Sequence, residues 1–123
     1  MTRALLAGLA ILTASAAMAS GVTGEWMRED GAAKIRFSTC GGDDAVCGFI
    51  AWKKDPKGPA KIGEEVFFDM KPNGADAWAG TAYNPEDGKR YTAKLTLSGD
   101  HLTTAGCIFG GLICESFGWT RAR

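Results

Sequence analysis

Few residues in this 123-residue sequence are suited to chemistry. The single histidine, His101, stands beside Asp100 at a Ser98-Gly99-Asp100 turn. Four cysteines form two pairs of identical spacing, Cys40-x6-Cys47 and Cys107-x6-Cys114. Carboxylates adjoin at Asp43-Asp44, Glu64-Glu65 and Glu86-Asp87. Each group has a plainer reading than catalysis. A histidine at a turn is expected at the surface, and acidic pairs in turns are adequately explained as solvated charges. An oxidised cysteine has no thiolate with which to attack. Zinc usually requires a CxxC-like spacing, which the chain lacks. Neither a Gly-rich phosphate loop nor a nucleophile elbow is present. The expectation is a protein without catalytic activity, bound metal or cofactor.

The compartment decides how the cysteines are read. Arg3 precedes the uncharged run Ala4 to Leu12, and small residues follow as far as Ala17-Met18-Ala19. A basic start, an apolar stretch and an A-x-A site make the pattern of a secretory signal peptide. Residues 1–19 are therefore expected to be removed, leaving a single domain over 20–123 in the periplasm or outside the cell. The apolar run is shorter than the roughly 20 residues of a bilayer-spanning helix, so no integral membrane segment is expected after cleavage. In an oxidising compartment an even set of cysteines argues for two disulfides.

Charge narrows the partners. Cleavage would remove Arg3 and leave thirteen Lys plus Arg against fourteen Asp plus Glu. A near-neutral domain has neither the basic footprint of a nucleic-acid binder nor a polybasic cluster for acidic lipid headgroups.

The mature chain has almost no helical periodicity. Short period-two runs alternate with Gly, Pro, Asn and Asp clusters, which predicts an all-β sandwich or barrel. Eight strands are expected, over residues 24–28, 34–40, 47–53, 66–71, 78–83, 90–97, 102–109 and 112–121. The sixth is the clearest, with Tyr91, Ala93, Leu95 and Leu97 on one face and Thr92, Lys94 and Thr96 on the other. Gly110-Gly111 is a favoured two-residue hairpin turn. Counting outward from it sets Phe109 against Leu112, Ile108 against Ile113 and Cys107 against Cys114. That register places the two cysteines within disulfide reach, although in a hydrogen-bonded pair, where strands lie farther apart. Local bridges 40–47 and 107–114 are favoured. Bridges crossing between the two pairs are the alternative, because the first and last hairpins of a closed barrel can be neighbours.

A series of segments carries a resemblance. Gly24-Glu25-Trp26, Cys47-Gly48-Phe49-Ile50-Ala51-Trp52, Met70-Lys71-Pro72, Trp78-Ala79-Gly80, Tyr83 to Tyr91, Gly106-Cys107 and Trp119-Thr120-Arg121 together resemble the bacterial domain-of-unknown-function family numbered 2147. The resemblance covers nearly all of the mature chain. It implies a secreted or periplasmic protein with a small, eight-stranded, antiparallel up-and-down β-barrel of the lipocalin-like (calycin) kind, and it brings no activity with it. Gly24-x-Trp26 is also similar to the lipocalin signature, which implies that Arg121 on the last strand packs over Trp26 and closes the barrel.

Two functional classes follow. In the first, the barrel binds a small apolar or amphipathic molecule, with Phe37, Phe49, Trp52, Phe68, Trp78 and Tyr91 lining or plugging the interior. An eight-stranded barrel lies at the limit where side chains fill the lumen or leave room for one small ligand, and the chain has twelve aromatics with which to fill it. In the alternative, a filled barrel serves as a protein-interaction or envelope-stress module, for example an inhibitor of a secreted enzyme, with its protein partner unknown. The motivating feature is the apolar tip Ile108 to Ile113, for which the expected role is nevertheless to cap one barrel end. Asn84 to Arg90 is read as a soluble hairpin turn.

Overall fold

The structure is a computed structural model and describes residues 21–122. The expected signal peptide, residues 1–19, lies outside the described residues. Eight strands follow in order: β1 (Gly24–Arg28), β2 (Ala33–Thr39), β3 (Val46–Lys53), β4 (Glu65–Pro72), β5 (Ala77–Asn84), β6 (Lys89–Ser98), β7 (His101–Ile108) and β8 (Ile113–Arg121). Every strand pairs antiparallel with the next, and β8 returns to β1, so the sheet is a closed up-and-down barrel. The strand ends lie within one residue of those expected from alternation and turn chemistry.

The ring is joined where Trp26 on β1 pairs directly with Arg121 on β8. The Arg121 guanidinium lies 4.3 Å from the centre of the Trp26 ring. It also donates to the carbonyls of Gly21 (2.7 Å) and Thr23 (3.3 Å) and pairs with Asp100 at 3.1 Å. Trp26 is fully buried, and its Nε1–H donates to the Val22 carbonyl at 2.9 Å. The last strand is thus fastened both to the first and to the segment preceding it.

Interior residues divide the barrel into two halves. Around Trp26, side chains of Val22, Phe37, Val46, Met70, Leu95 and Leu102 are buried to 1% exposure or less and pack into a continuous core with Trp78. Two glycines permit that density. A Cβ at Gly48 would stand 2.7 Å from the buried Phe37 ring. One at Gly80 would stand 2.7 Å from the backbone oxygens of Phe68 and Asp69 and from the Met70 sulfur. Gly80 lies opposite a bulge in β4, where the register with β5 shifts between Phe68 and Lys71 and Asp69 takes a left-handed φ of 50°. The missing side chain lets the bulged backbone fall inward, and Met70 fills the space beneath it.

Both disulfides are the local ones, Cys40–Cys47 and Cys107–Cys114. The expected register holds at Cys107↔Cys114 and Ile108↔Ile113. The turn does not begin as expected, however. Gly110 and Gly111 have positive φ, but so does Phe109 at 53°, and the turn is closed by the Leu112 N–H, which donates to the Phe109 carbonyl at 3.2 Å. With Phe109 and Leu112 taken out of the ladder, its alternation moves by one pair. Cys107 and Cys114 consequently lie 4.1 Å apart at Cα, the spacing of the closer, non-hydrogen-bonded kind of pair. The expectation that the tip caps a barrel end is also corrected: Phe109 is 71% exposed and Leu112 85%. The three consecutive positive φ angles carry these side chains away from the core.

Candidate functional site

The second half of the barrel is not filled. A cavity of about 650 Å³ occupies it, opening at the end formed by the β1–β2, β3–β4, β5–β6 and β7–β8 connections. Its apolar wall comes from Ile35, Ile50, Val66, Phe67, Ala82 and Trp119, with Phe117 nearer the opening. Strand parity explains the set. Arg28, Phe117 and Trp119 share the inward face with Trp26, one or more steps toward the open end, and Ala82 and Tyr91 pair across β5 and β6 on the same inward side. Small residues leave the space: Ala33, Ala82 and Gly106 stand where larger side chains would close it.

The polar groups are few and gather at the mouth. Lys53 donates its ammonium to the carbonyl oxygens of Gly58 (2.9 Å) and Ala60, pinning the long β3–β4 connection against the rim. Arg28 forms a two-pronged pair with Asp30, through Nε at 2.9 Å and Nη2 at 2.8 Å, while its guanidinium covers the Phe117 ring at 4.6 Å. That pairing holds the Asp30 carboxyl down to about 2, with the Ala32 backbone N–H a further cause. Tyr91 donates its hydroxyl to Asp87, which lowers the Asp87 carboxyl and raises the Tyr91 phenol from their ordinary values. Asn84, Glu86 and Glu115 complete the opening.

One polar side chain lies deep. Thr104 is 3% exposed, lines the cavity and accepts a hydrogen bond from Trp119 Nε1 at 3.0 Å. A hydroxyl that has accepted still holds a proton to donate. The Thr104 O–H is therefore a buried donor in an otherwise apolar wall.

The six aromatics expected to line or plug the interior separate into three groups. Tyr91 lines the cavity. Phe37 and Trp78 belong to the packed half, where Phe37 lies 5.4 Å from the cavity-lining Phe67, centre to centre. Phe49, Trp52 and Phe68 are on the outer face. Phe49 is paired with the exposed Arg36, Trp52 is 40% exposed beside Lys34, and Phe68 lies under Arg90. The reason for Trp52 is a bulge. Ile35 pairs with Ile50 and Lys34 with Trp52, so two β3 residues that strict alternation would put on one face point to opposite sides. Missed in the sequence were Ile35, Ile50, Val66, Thr104, Phe117 and Trp119. Inward parity counted from Trp26 and Arg121 would have found the β8 members.

His101 lies on the outer face, with Nδ1 3.1 Å from Glu29 Oε2, away from the cavity. Among the described residues no three His, Cys, Asp or Glu are grouped to hold a metal ion, and no helix is long and apolar enough to cross a membrane. Searches of curated proteins and of solved structures returned no match. A family model matches residues 24–121, which is the whole barrel from the first residue of β1 to the last of β8. The chain thus belongs to the bacterial family described as "Uncharacterized protein conserved in bacteria (DUF2147)".

Proposed function

We propose that this protein is exported and binds one small amphipathic molecule in the open half of its barrel. The observation that carries this reading is the cavity itself: about 650 Å³, walled by apolar side chains and opening at one end onto charged and amide groups. Ligand sites commonly measure 300–1,000 Å³ and combine an apolar lining with a few polar groups. The ligand's apolar body lies against Ile35, Ile50, Val66, Phe67 and Trp119. Its polar end stays at the mouth near Arg28, Asn84 and Glu115. An oxygen acceptor along the body meets the Thr104 hydroxyl. Export is supported by the pattern of residues 1–19 and by two disulfides, which persist in oxidising compartments. Binding without catalysis is the reading because the cavity-lining groups are mostly apolar, His101 lies on the other side of the wall, and all four cysteines are oxidised.

Ala82 points into the cavity, and Phe in its place reduces the volume with little change elsewhere. Calorimetric titration of the mature protein with medium-chain fatty acids and lysophospholipids tests the reading. Binding to the wild type and at least a tenfold loss in Ala82→Phe, with both proteins melting alike, is the expected result. Heat flat for every amphiphile, or equal affinity in the two proteins, would count against a ligand in this cavity. If Ala82→Phe melts lower, Thr104→Val provides the second comparison, with a loss confined to ligands that carry an acceptor.

A further inference from the structure

Among the described residues, most of the exposed large apolar side chains stand at the cavity end. Phe109 and Leu112 are joined there by Ile62 at 58%, Ile113 at 56% and Ile108 at 39%. Four of the five form the tip of the β7–β8 hairpin, and Ile62 lies on the β3–β4 connection at the same end. From Ala105 to Cys114 the chain carries no charge. The Cys107–Cys114 bridge staples the neck of the tip, and the left-handed Phe109 and the two glycines beyond it turn its side chains outward. A left-handed aromatic residue is an unfavourable backbone choice that persists where the surroundings impose it. Here the result is display of the ring instead of burial.

We infer that this tip is a membrane-contact element: it inserts Phe109 and Leu112 into the surface of a lipid bilayer and so holds the cavity mouth against the lipid. Shape and size select this occupant. The tip is a convex wedge of four apolar residues, whereas a stable protein interface engages roughly 20–30 residues on each side. A bilayer accepts a small convex apolar tip without a matching groove, and the gain scales with the apolar area inserted. Charge decides the kind of contact. The connections and strand ends on this side carry Arg28, Lys53, Lys54, Lys57, Lys61, Lys89 and Arg90 against Glu29, Asp30, Asp55, Glu64, Glu65, Glu86, Asp87 and Glu115. Bases and acids nearly balance, so there is no net attraction to anionic headgroups, and the contact is apolar and independent of lipid charge.

Flotation of the mature, oxidised protein with phosphatidylcholine vesicles tests the inference and does not require that the cavity hold any ligand. The wild type is expected to float with the vesicles in 0.1 M and 1 M salt alike. Phe109→Ser/Leu112→Ser is expected to partition at least tenfold less while melting at the wild-type temperature. Leu112→Trp is expected to add a tryptophan emission that shifts to the blue on vesicle addition. Wild-type protein that stays out of zwitterionic vesicles overturns the inference, as does flotation that needs anionic lipid and fails in salt. It is equally overturned if the double variant floats as well as the wild type, or if it melts substantially lower, which would make the tip a packing element. Concentration-dependent dimers that the double variant abolishes, in place of vesicle binding, would assign the tip to a protein contact.

Discussion

Arg121 lies across the face of Trp26, its guanidinium 4.3 Å from the ring centre, and these two residues are cross-strand partners at the one place where the first and last strands meet. The backbone ladder that closes the barrel is therefore reinforced by an aromatic–cation contact and by bonds from the same guanidinium to the carbonyls of Gly21 and Thr23. A cation–π contact contributes about 0.5–2 kcal/mol, and a charged hydrogen bond about 1.5–3. Arg121→Ala is expected to lower stability by about 2–4 kcal/mol, and Arg121→Lys to recover only part of it because an ammonium cannot repeat the fork. Asp100→Asn, which touches the exposed ion pair, should cost less than about 1 kcal/mol. Denaturant midpoints at constant slope measure all three, and an Asp100→Asn loss as large as that of Arg121→Ala would move the weight from the ring to the ion pair.

Gly80 faces the β4 bulge with backbone oxygens of Phe68 and Asp69 at 2.7 Å from where a Cβ would stand. Overpacking typically costs 1–3 kcal/mol, and a backbone neighbour cannot swing aside. Gly80→Ala is expected at or above about 3 kcal/mol. Gly48→Ala, which meets the Phe37 ring, is expected nearer 2. Thermal unfolding of the two variants reads the order directly, and a smaller loss for Gly80→Ala would mean that the bulge is free to move.

Each disulfide closes a short loop across a separation of seven residues. On the chain-entropy account such a loop contributes about 2.5 kcal/mol. Cys40→Ala/Cys47→Ala and Cys107→Ala/Cys114→Ala should each lose close to that amount, and the two losses should add because the bridges join different hairpins. A deficit much larger for one pair, measured by urea denaturation, would show that its bridge also shapes the native fold.

The pairing of Asp30 with Arg28 has a pH signature. The folded carboxyl is held down to about 2 from an ordinary 3.8, so it contributes stability that is fully present above pH 3.8 and lost as pH falls through 2. The Asp30 side chain is 56% exposed, and solvent screening limits the effect to less than about 1 kcal/mol. Asp30→Asn should be less stable than the wild type at pH 6 and nearly equal to it at pH 2. A carbon-13 titration that places the Asp30 carboxyl near 3.8 would remove the pairing from the account.

Alternation made the strands legible. Ile35 and Phe37 against Lys34 and Arg36, or Tyr91 to Leu97 on β6, fix which side of each strand is buried, and turn glycines such as Gly88 and Gly99 mark where it ends. The division of the barrel into a packed and an open half was not legible, because parity tells inside from outside but not one end from the other. Bulges hid the rest. An extra residue at Ala51 sends Trp52 outward, and the left-handed Asp69 re-aims Met70 into the core. Such irregularities leave no period of their own in the sequence. Phe109 was misplaced for a similar reason: its left-handed conformation is not one that an aromatic side chain announces.

Diffraction from crystals grown with an ω-brominated medium-chain amphiphile locates the apolar end of the ligand through the bromine's anomalous signal. One bromine peak is expected inside the barrel, against Ile50, Val66 and Trp119, with the polar end at the mouth. Bromine found only outside the barrel, with the space between those three side chains holding water, would contradict binding in the cavity.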